Sequence, residues 1–182
     1  MSFPPPELKS LAEQVVSLLI QRKETVSLVE TATGGLVAAT LLSLPGTSAI
    51  FQGGVNAYSL PSRQAFLEWK ESDTASYDGP TEAIVLSLAR SLRRSLSSTW
   101  SLAESGVAGP SLPSKYRAEI LEVGVGYCPI AVVGEGVERS KTVVVKQPRE
   151  RGENMVQFAV EVLRAFLEVL TEQKGSKDVE KL

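Results

Sequence analysis

A chain of 182 residues, 43% hydrophobic and 22% charged, fits one compact domain with a core of its own. Its formal net charge of -2 gives no general pull toward nucleic acid, and the absence of histidine excludes histidine-ligated zinc and Ser-His-Asp triads. The single cysteine, Cys128, leaves no intramolecular disulfide; no apolar run approaches the ~20 residues of a membrane span, and M-S-F-P-P-P lacks signal-peptide order, so the expected compartment is cytoplasmic.

After Pro4-Pro5-Pro6, apolar residues at Leu8, Leu11, Ala12, Val15, Leu18 and Leu19 mark one face of a helix ending near Lys23. Val26 to Val29 reads as a short buried strand, and Thr31 or Thr33 is placed to cap a helix from Gly35 to Leu44, which Pro45-Gly46 stops. Ala49 to Tyr58 reads as a strand with an irregularity at Gly53-Gly54, followed by a short helix from Pro61 to Trp69 and a polar loop from Ser72 to Pro80. Thr81 to Leu96 has helical periodicity, with Arg90, Arg93 and Arg94 on the side away from its apolar face. Trp100 to Val107 reads as a strand, Glu122 to Val133 and Val137 to Lys146 as a hairpin around Gly134-Glu135-Gly136, and Gly152 to Thr171 as a long helix. The tail from Gln173 to Leu182 is polar and is expected to fray.

This order favours a sheet covered by helices on both faces, with ligands expected at the strand–turn–helix junctions of Thr31–Gly35 and Ser105–Pro110. In Thr31-Ala32-Thr33-Gly34-Gly35 the glycines let backbone come close to a ligand, and N–H groups at a following helix start would favour a phosphate or carboxylate; a plain helix cap explains the same letters. The loop from Gly109 to Lys115, G-P-S-L-P-S-K, lacks the ending of a nucleoside-triphosphate loop, and Gly124-Val125-Gly126 lacks the third glycine of a dinucleotide fingerprint.

Three ordered stretches carry a resemblance: V-E-T-A-T-G-G-L-V-A-A from Val29, then L-P-G-T-S-A-I-F-Q-G-G-V-N-A-Y-S from Leu44 to Ser59, then Ser105-Gly106-Val107-Ala108-Gly109-Pro110. They resemble the C-terminal domain of CinA, the competence/damage-inducible protein, which also occurs alone as nicotinamide mononucleotide deamidase. The family reads E-S-C-T-G-G, P-G-S-S-x-x-F-x-G-G-x-x-x-Y-S-N-E-x-K and G-I-A-G-P at these places. The resemblance implies a single-domain three-layer α/β/α sandwich with a mixed sheet over residues 1–172, with 173–182 as a tail, and a homo-oligomer.

It also implies hydrolysis of the nicotinamide mononucleotide carboxamide to nicotinate mononucleotide and ammonia, a step of NAD metabolism without metal or cofactor. The implied partner is a nucleotide-like small molecule with a phosphate, with no nucleic acid and no membrane. Carried onto this chain, the catalytic positions are Thr31, Tyr58 and Arg63. The substrate-binding positions are Glu30, Thr33, Gly34, Gly35, Ser59, Ser105, Gly106, Ala108, Gly109 and Arg151.

The departures bear on chemistry. Thr31 stands at the family's serine nucleophile, and its extra methyl restricts the rotamer. Arg63 stands at the lysine that serves as base, and a guanidinium holds its proton at neutral pH. The loop after Gly109-Pro110 lacks the family's Gly-Gly, and Met155 stands where a second arginine is common after Arg151. The expected activity is therefore weakened, altered or lost, and the alternative is a non-catalytic nucleotide-binding or oligomeric interaction protein. Lys70 and Lys115 are the candidates for an amine reaching Thr31 from another loop.

Overall fold

The computed structural model describes residues 3–145 and 150–179. Helix α1 (Pro6–Arg22) starts on a proline, whose missing N–H is no loss in a first turn, and stops where Lys23 turns left-handed. Strand β1 (Val26–Glu30) follows, then α2 (Leu36–Leu42), a single 3-10 turn (Thr47–Ala49), β2 (Phe51–Asn56) and α3 (Leu60–Phe66). Next come α4 (Glu71–Ala75), α5 (Glu82–Leu96), β3 (Trp100–Glu104) and α6 (Ala118–Val123). The hairpin β4 (Tyr127–Gly134) and β5 (Val137–Val144) leads to α7 (Arg151–Val179).

The five strands lie in the order β2-β1-β3-β4-β5. The β2-β1-β3 half is parallel and the β3-β4-β5 half antiparallel, so the sheet is mixed. Alternate strand residues face opposite layers. Leu28, Leu102, Ile130 and Val132 join the core under α1, α2 and α7, whereas Val29, Ala103, Ala131 and Val133 join the one under α5. This is the three-layer α/β/α arrangement, and the parallel strands deliver three chain turns to one end of the sheet.

The Gly53 irregularity is a bulge: the β1–β2 register slips between Val26 and Ser27, with Gly53 at φ 147. The hairpin turns through Glu135 and Gly136, the latter at φ 66. Gly134 is fixed by a different cause. A Cβ there would overlap Cζ3 of Trp100. That ring is 2% exposed, packs edge-on to Phe166 and donates its indole N–H to Glu24 at 2.8 Å. Gly134→Ala should therefore destabilise the fold by about 3 kcal/mol through overpacking, read as a lower midpoint in urea at unchanged slope.

Several expected boundaries move, each for a local reason. The polar loop after Trp69 contains α4 because Asp73 accepts the Lys70 N–H at 2.9 Å and caps one helical turn. The strand expected from Glu122 starts only at Tyr127, because residues 118–123 form α6 and Gly124 (φ 79) and Gly126 (φ 104) then swing the chain into β4. β3 ends at Glu104, three residues early. Beyond it the Ser105 and Val107 amides still reach Pro129 and Tyr127 carbonyls, but Gly106 is pressed against Cys128 and Phe158. α7 continues past Thr171 to Val179, through most of the segment expected to fray. The arginines of α5 are engaged: Arg90 is bidentate to Glu138 on β5, Arg93 donates to the Thr99 carbonyl and Arg94 pairs with Glu68.

Candidate functional site

The turns that leave β1, β2 and β3 meet around a cleft of ≈ 400 Å³ at the carboxyl ends of the parallel strands. Thr31 and Ala32 come from the first turn, Tyr58 and Ser59 from the second, and Ser105 to Gly109 from the third. Arg63 of α3 closes one wall, Tyr77, Lys115 and Tyr116 come from the loops beside it, and Arg151 comes from the first turn of α7. Among the described residues the lining holds three cationic side chains and no carboxylate.

The first turn is held from below by two buried carboxyls. Glu30, 3% exposed, accepts the N–H groups of Gly35, Val37 and Ala38 at 3.0, 3.1 and 2.8 Å. It therefore caps α2 from five residues ahead, and the expected cap by Thr31 or Thr33 is not made. The same bonds occupy the helix-start amides that sequence reasoning offered to an anion, because a carboxylate of the chain already sits there.

Glu104, at the end of β3, accepts the N–H groups of Thr31 at 2.6 Å and Thr33 at 2.9 Å. The Thr33 hydroxyl lies 2.6 Å from Glu30 and 2.8 Å from Glu104, so one hydroxyl proton faces two carboxyl oxygens in a dry interior. Such an arrangement is stable when one carboxyl keeps its own proton. Burial raises the Glu104 carboxyl above its ordinary value; its turn hydrogen bonds oppose the shift and the neighbouring Glu30 adds to it. Burial and Glu104 likewise push the Cys128 thiol well up, which keeps that sulfur a neutral packing group.

Arg63 is 2% exposed. Its Nη2 donates to Ser105 Oγ at 3.1 Å and its Nε to the Ala57 carbonyl at 3.4 Å. Its guanidinium lies 5.0 Å from the Trp69 ring centre and 5.2 Å from that of Tyr77. No carboxylate pairs with it among the described residues, and Nη1 is buried without a hydrogen-bond partner. Tyr77 also meets Tyr116 edge-on at 6.0 Å, and burial, with Tyr77 beside it, drives the Tyr116 hydroxyl well above its usual range.

Thr31 is 4% exposed on the cleft wall, and among the described residues its hydroxyl makes no hydrogen bond. Tyr58 is 65% exposed at the rim, where its hydroxyl accepts from Arg151 Nη2 at 3.2 Å. Arg151 also donates to the Gly109 carbonyl, and Asn154 on the same helix donates to the Ala108 carbonyl at 3.0 Å, which ties the third turn to α7.

Of the positions singled out in the sequence, Thr31, Tyr58, Ser59, Arg63, Ser105, Gly106, Ala108, Gly109 and Arg151 line the cleft. Glu30, Thr33, Gly34 and Gly35 lie off its lining and shape the turn behind it. Met155 packs near Gly34, where an added Cβ would meet its Cε at 3.2 Å. Lys115 stands on the lining and Lys70 does not. Sequence reasoning missed Glu104 and the aromatic wall of Trp69, Tyr77 and Tyr116. Their signals were a glutamate at the end of a buried, mostly apolar strand and aromatic residues in polar loops.

Fold and cleft together define an α/β/α domain with a cationic cleft at the carboxyl ends of its parallel strands. The profile of the CinA C-terminal domain matches residues 8–170, and the chain belongs to that family. It is 34% identical to a CinA-like protein of Prochlorococcus marinus strain MIT 9515 over 123 residues, 68% of this chain and 28% of the relative. A CinA-like protein from strain MIT 9313 is 36% identical over 140 residues, 75% of this chain and 33% of the relative. The chain thus spans about a third or less of the curated relatives it matches. The fold is that of a competence/damage-inducible protein from Agrobacterium tumefaciens, with a TM-score of 0.82 at 20% identity over 94% of this chain and 99% of the other. A competence/damage-inducible protein from Klebsiella pneumoniae superposes with a TM-score of 0.80 at 22% identity, over 90% and 97% of the two chains. Among the described residues no helix is long and apolar enough to cross a membrane.

Proposed function

We propose that this chain binds a small phosphate-bearing, nucleotide-like anion in the cleft and that amide hydrolysis through Thr31 is weakened or lost. The observation that carries the reading is the Arg63 guanidinium, buried on the wall of the same cleft that Thr31 lines, with the Thr31 hydroxyl left without a hydrogen-bond partner among the described residues. A guanidinium binds anions and does not release its proton near neutral pH. The amine on the lining, Lys115, is solvent-exposed, and the Thr31 hydroxyl has no hydrogen-bonded base among the described residues. Binding is supported by the cationic lining and by Arg151, held at the rim between Tyr58 and Gly109.

The test pairs turnover with binding. Purified protein given nicotinamide mononucleotide should release ammonia no faster than its Thr31→Ala variant, while calorimetry detects uptake of nicotinamide or nicotinate mononucleotide. Turnover clearly above the variant would overturn the loss of activity, and failure to bind either nucleotide would overturn the binding. Self-association belongs to the same proposal and is read by sedimentation velocity.

A further inference from the structure

The Arg63 side chain has a donor that the fold does not use. Burying a guanidinium without a carboxylate is expensive, and a buried N–H left without an acceptor adds to the cost. In this chain the expense is partly offset by two aromatic rings, the Ser105 hydroxyl and the Ala57 carbonyl. Among the described residues Nη1 remains without a partner, on a residue of the cleft wall. Ser105 Oγ, which accepts from Nη2, keeps its own proton free to donate. Arg63 and Ser105 therefore hold one unused charged N–H and one adjacent O–H, with no acidic side chain among the described residues of the lining to compete.

We infer that Arg63 and Ser105 form a receptor for a carboxylate, so that the cleft selects the acid form of a pyridine-type nucleotide over its carboxamide. The inference rests on the reading of the cleft as a nucleotide pocket given above. A carboxylate supplies acceptor oxygens to both donors, whereas a carboxamide supplies one oxygen and presents an N–H₂ group to a cation. Arg151, exposed in the first turn of α7, is left for the phosphate. Nη1 is shielded from water, so the receptor requires a neighbouring side chain to shift before a ligand oxygen meets it. The role follows from the same substitution that removes a base: a guanidinium that cannot take a proton from Thr31 can hold the charge of a product-like acid.

The experiment is calorimetric titration of the intact chain with nicotinate mononucleotide and nicotinamide mononucleotide, which differ only in carboxylate against carboxamide. The wild type should bind the carboxylate form at least ~10-fold more tightly. Arg63→Met should bring the two affinities together, while Arg151→Ala should weaken both by a similar factor. Inorganic phosphate should compete with both nucleotides alike. Equal binding of the two nucleotides by the wild type overturns the carboxylate receptor and leaves the nucleotide pocket standing. Binding of neither overturns both. Should Arg63→Met fail to fold, Ser105→Ala supplies the comparison: a retained full preference removes Ser105 from the receptor and overturns the inference as stated.

Discussion

Replacing Glu104 with alanine is expected to lower the stability of the fold by about 3–5 kcal/mol at pH 5, measured by urea unfolding. The size follows from what the carboxyl holds. It accepts two backbone N–H groups, from Thr31 and Thr33, in a site 1% exposed, and it contacts the Thr33 hydroxyl. Alanine leaves both amides without the acceptor they now use and opens a void beside Cys128. The loss reaches the cleft as well, since Thr31 is the first residue of its wall after β1.

The conservative variant separates hydrogen bonding from charge. Glu104→Gln keeps an acceptor oxygen for the two amides and removes the ionisation. Because burial raises the Glu104 carboxyl above its ordinary 4.5, the folded chain keeps a proton that the unfolded chain has released once pH passes that value. This group's contribution is therefore full below pH 4.5 and declines as pH rises toward the folded-state value. Urea midpoints taken from pH 5 to pH 8 should fall more steeply for the wild type than for Glu104→Gln. Parallel curves would mean that Glu104 is ionised in the fold and that the turn tolerates two carboxylates around Thr33.

The parts of this fold readable from sequence were those governed by local periodicity. Helix α1 and the long α5 showed their apolar stripes, and the β1 turn showed its glycines. What escaped were features set across long sequence separations. Glu104 meets Thr31 and Thr33 over more than seventy positions, so nothing near either end signals the contact. Glu30 shows the same limit at short range. Its place before the turn matched a ligand-binding motif, yet its oxygens satisfy the α2 amides, and a one-letter pattern does not distinguish the two uses. Arg63 was found through its motif position, but its burial and its aromatic neighbours come from loops that look only polar in the sequence.

The double change Thr31→Ser with Arg63→Lys should give ammonia release from nicotinamide mononucleotide at ~10²-fold or more above the Thr31→Ala variant, the range expected of a positioned general base. Serine removes the methyl that restricts the threonine rotamer. Lysine at position 63 would place an amine among buried partners, near Trp69 and Tyr77, where desolvation lowers its proton affinity and leaves part of it neutral. A neutral amine can take the hydroxyl proton as the serine oxygen attacks the carboxamide carbon, which the arginine cannot do. Thr31→Ser alone should stay at the control rate, because the base is still absent. Arg63→Lys alone should fall between, with a crowded nucleophile beside a working base. In the double variant the rate should rise with pH and level off, since the active form is the deprotonated amine. A double variant that binds nicotinamide mononucleotide yet stays at the control rate would sink the idea that these two positions alone separate the chain from hydrolysis. The changed loop after Pro110 and Met155 beside Gly34 would then be the next places to restore.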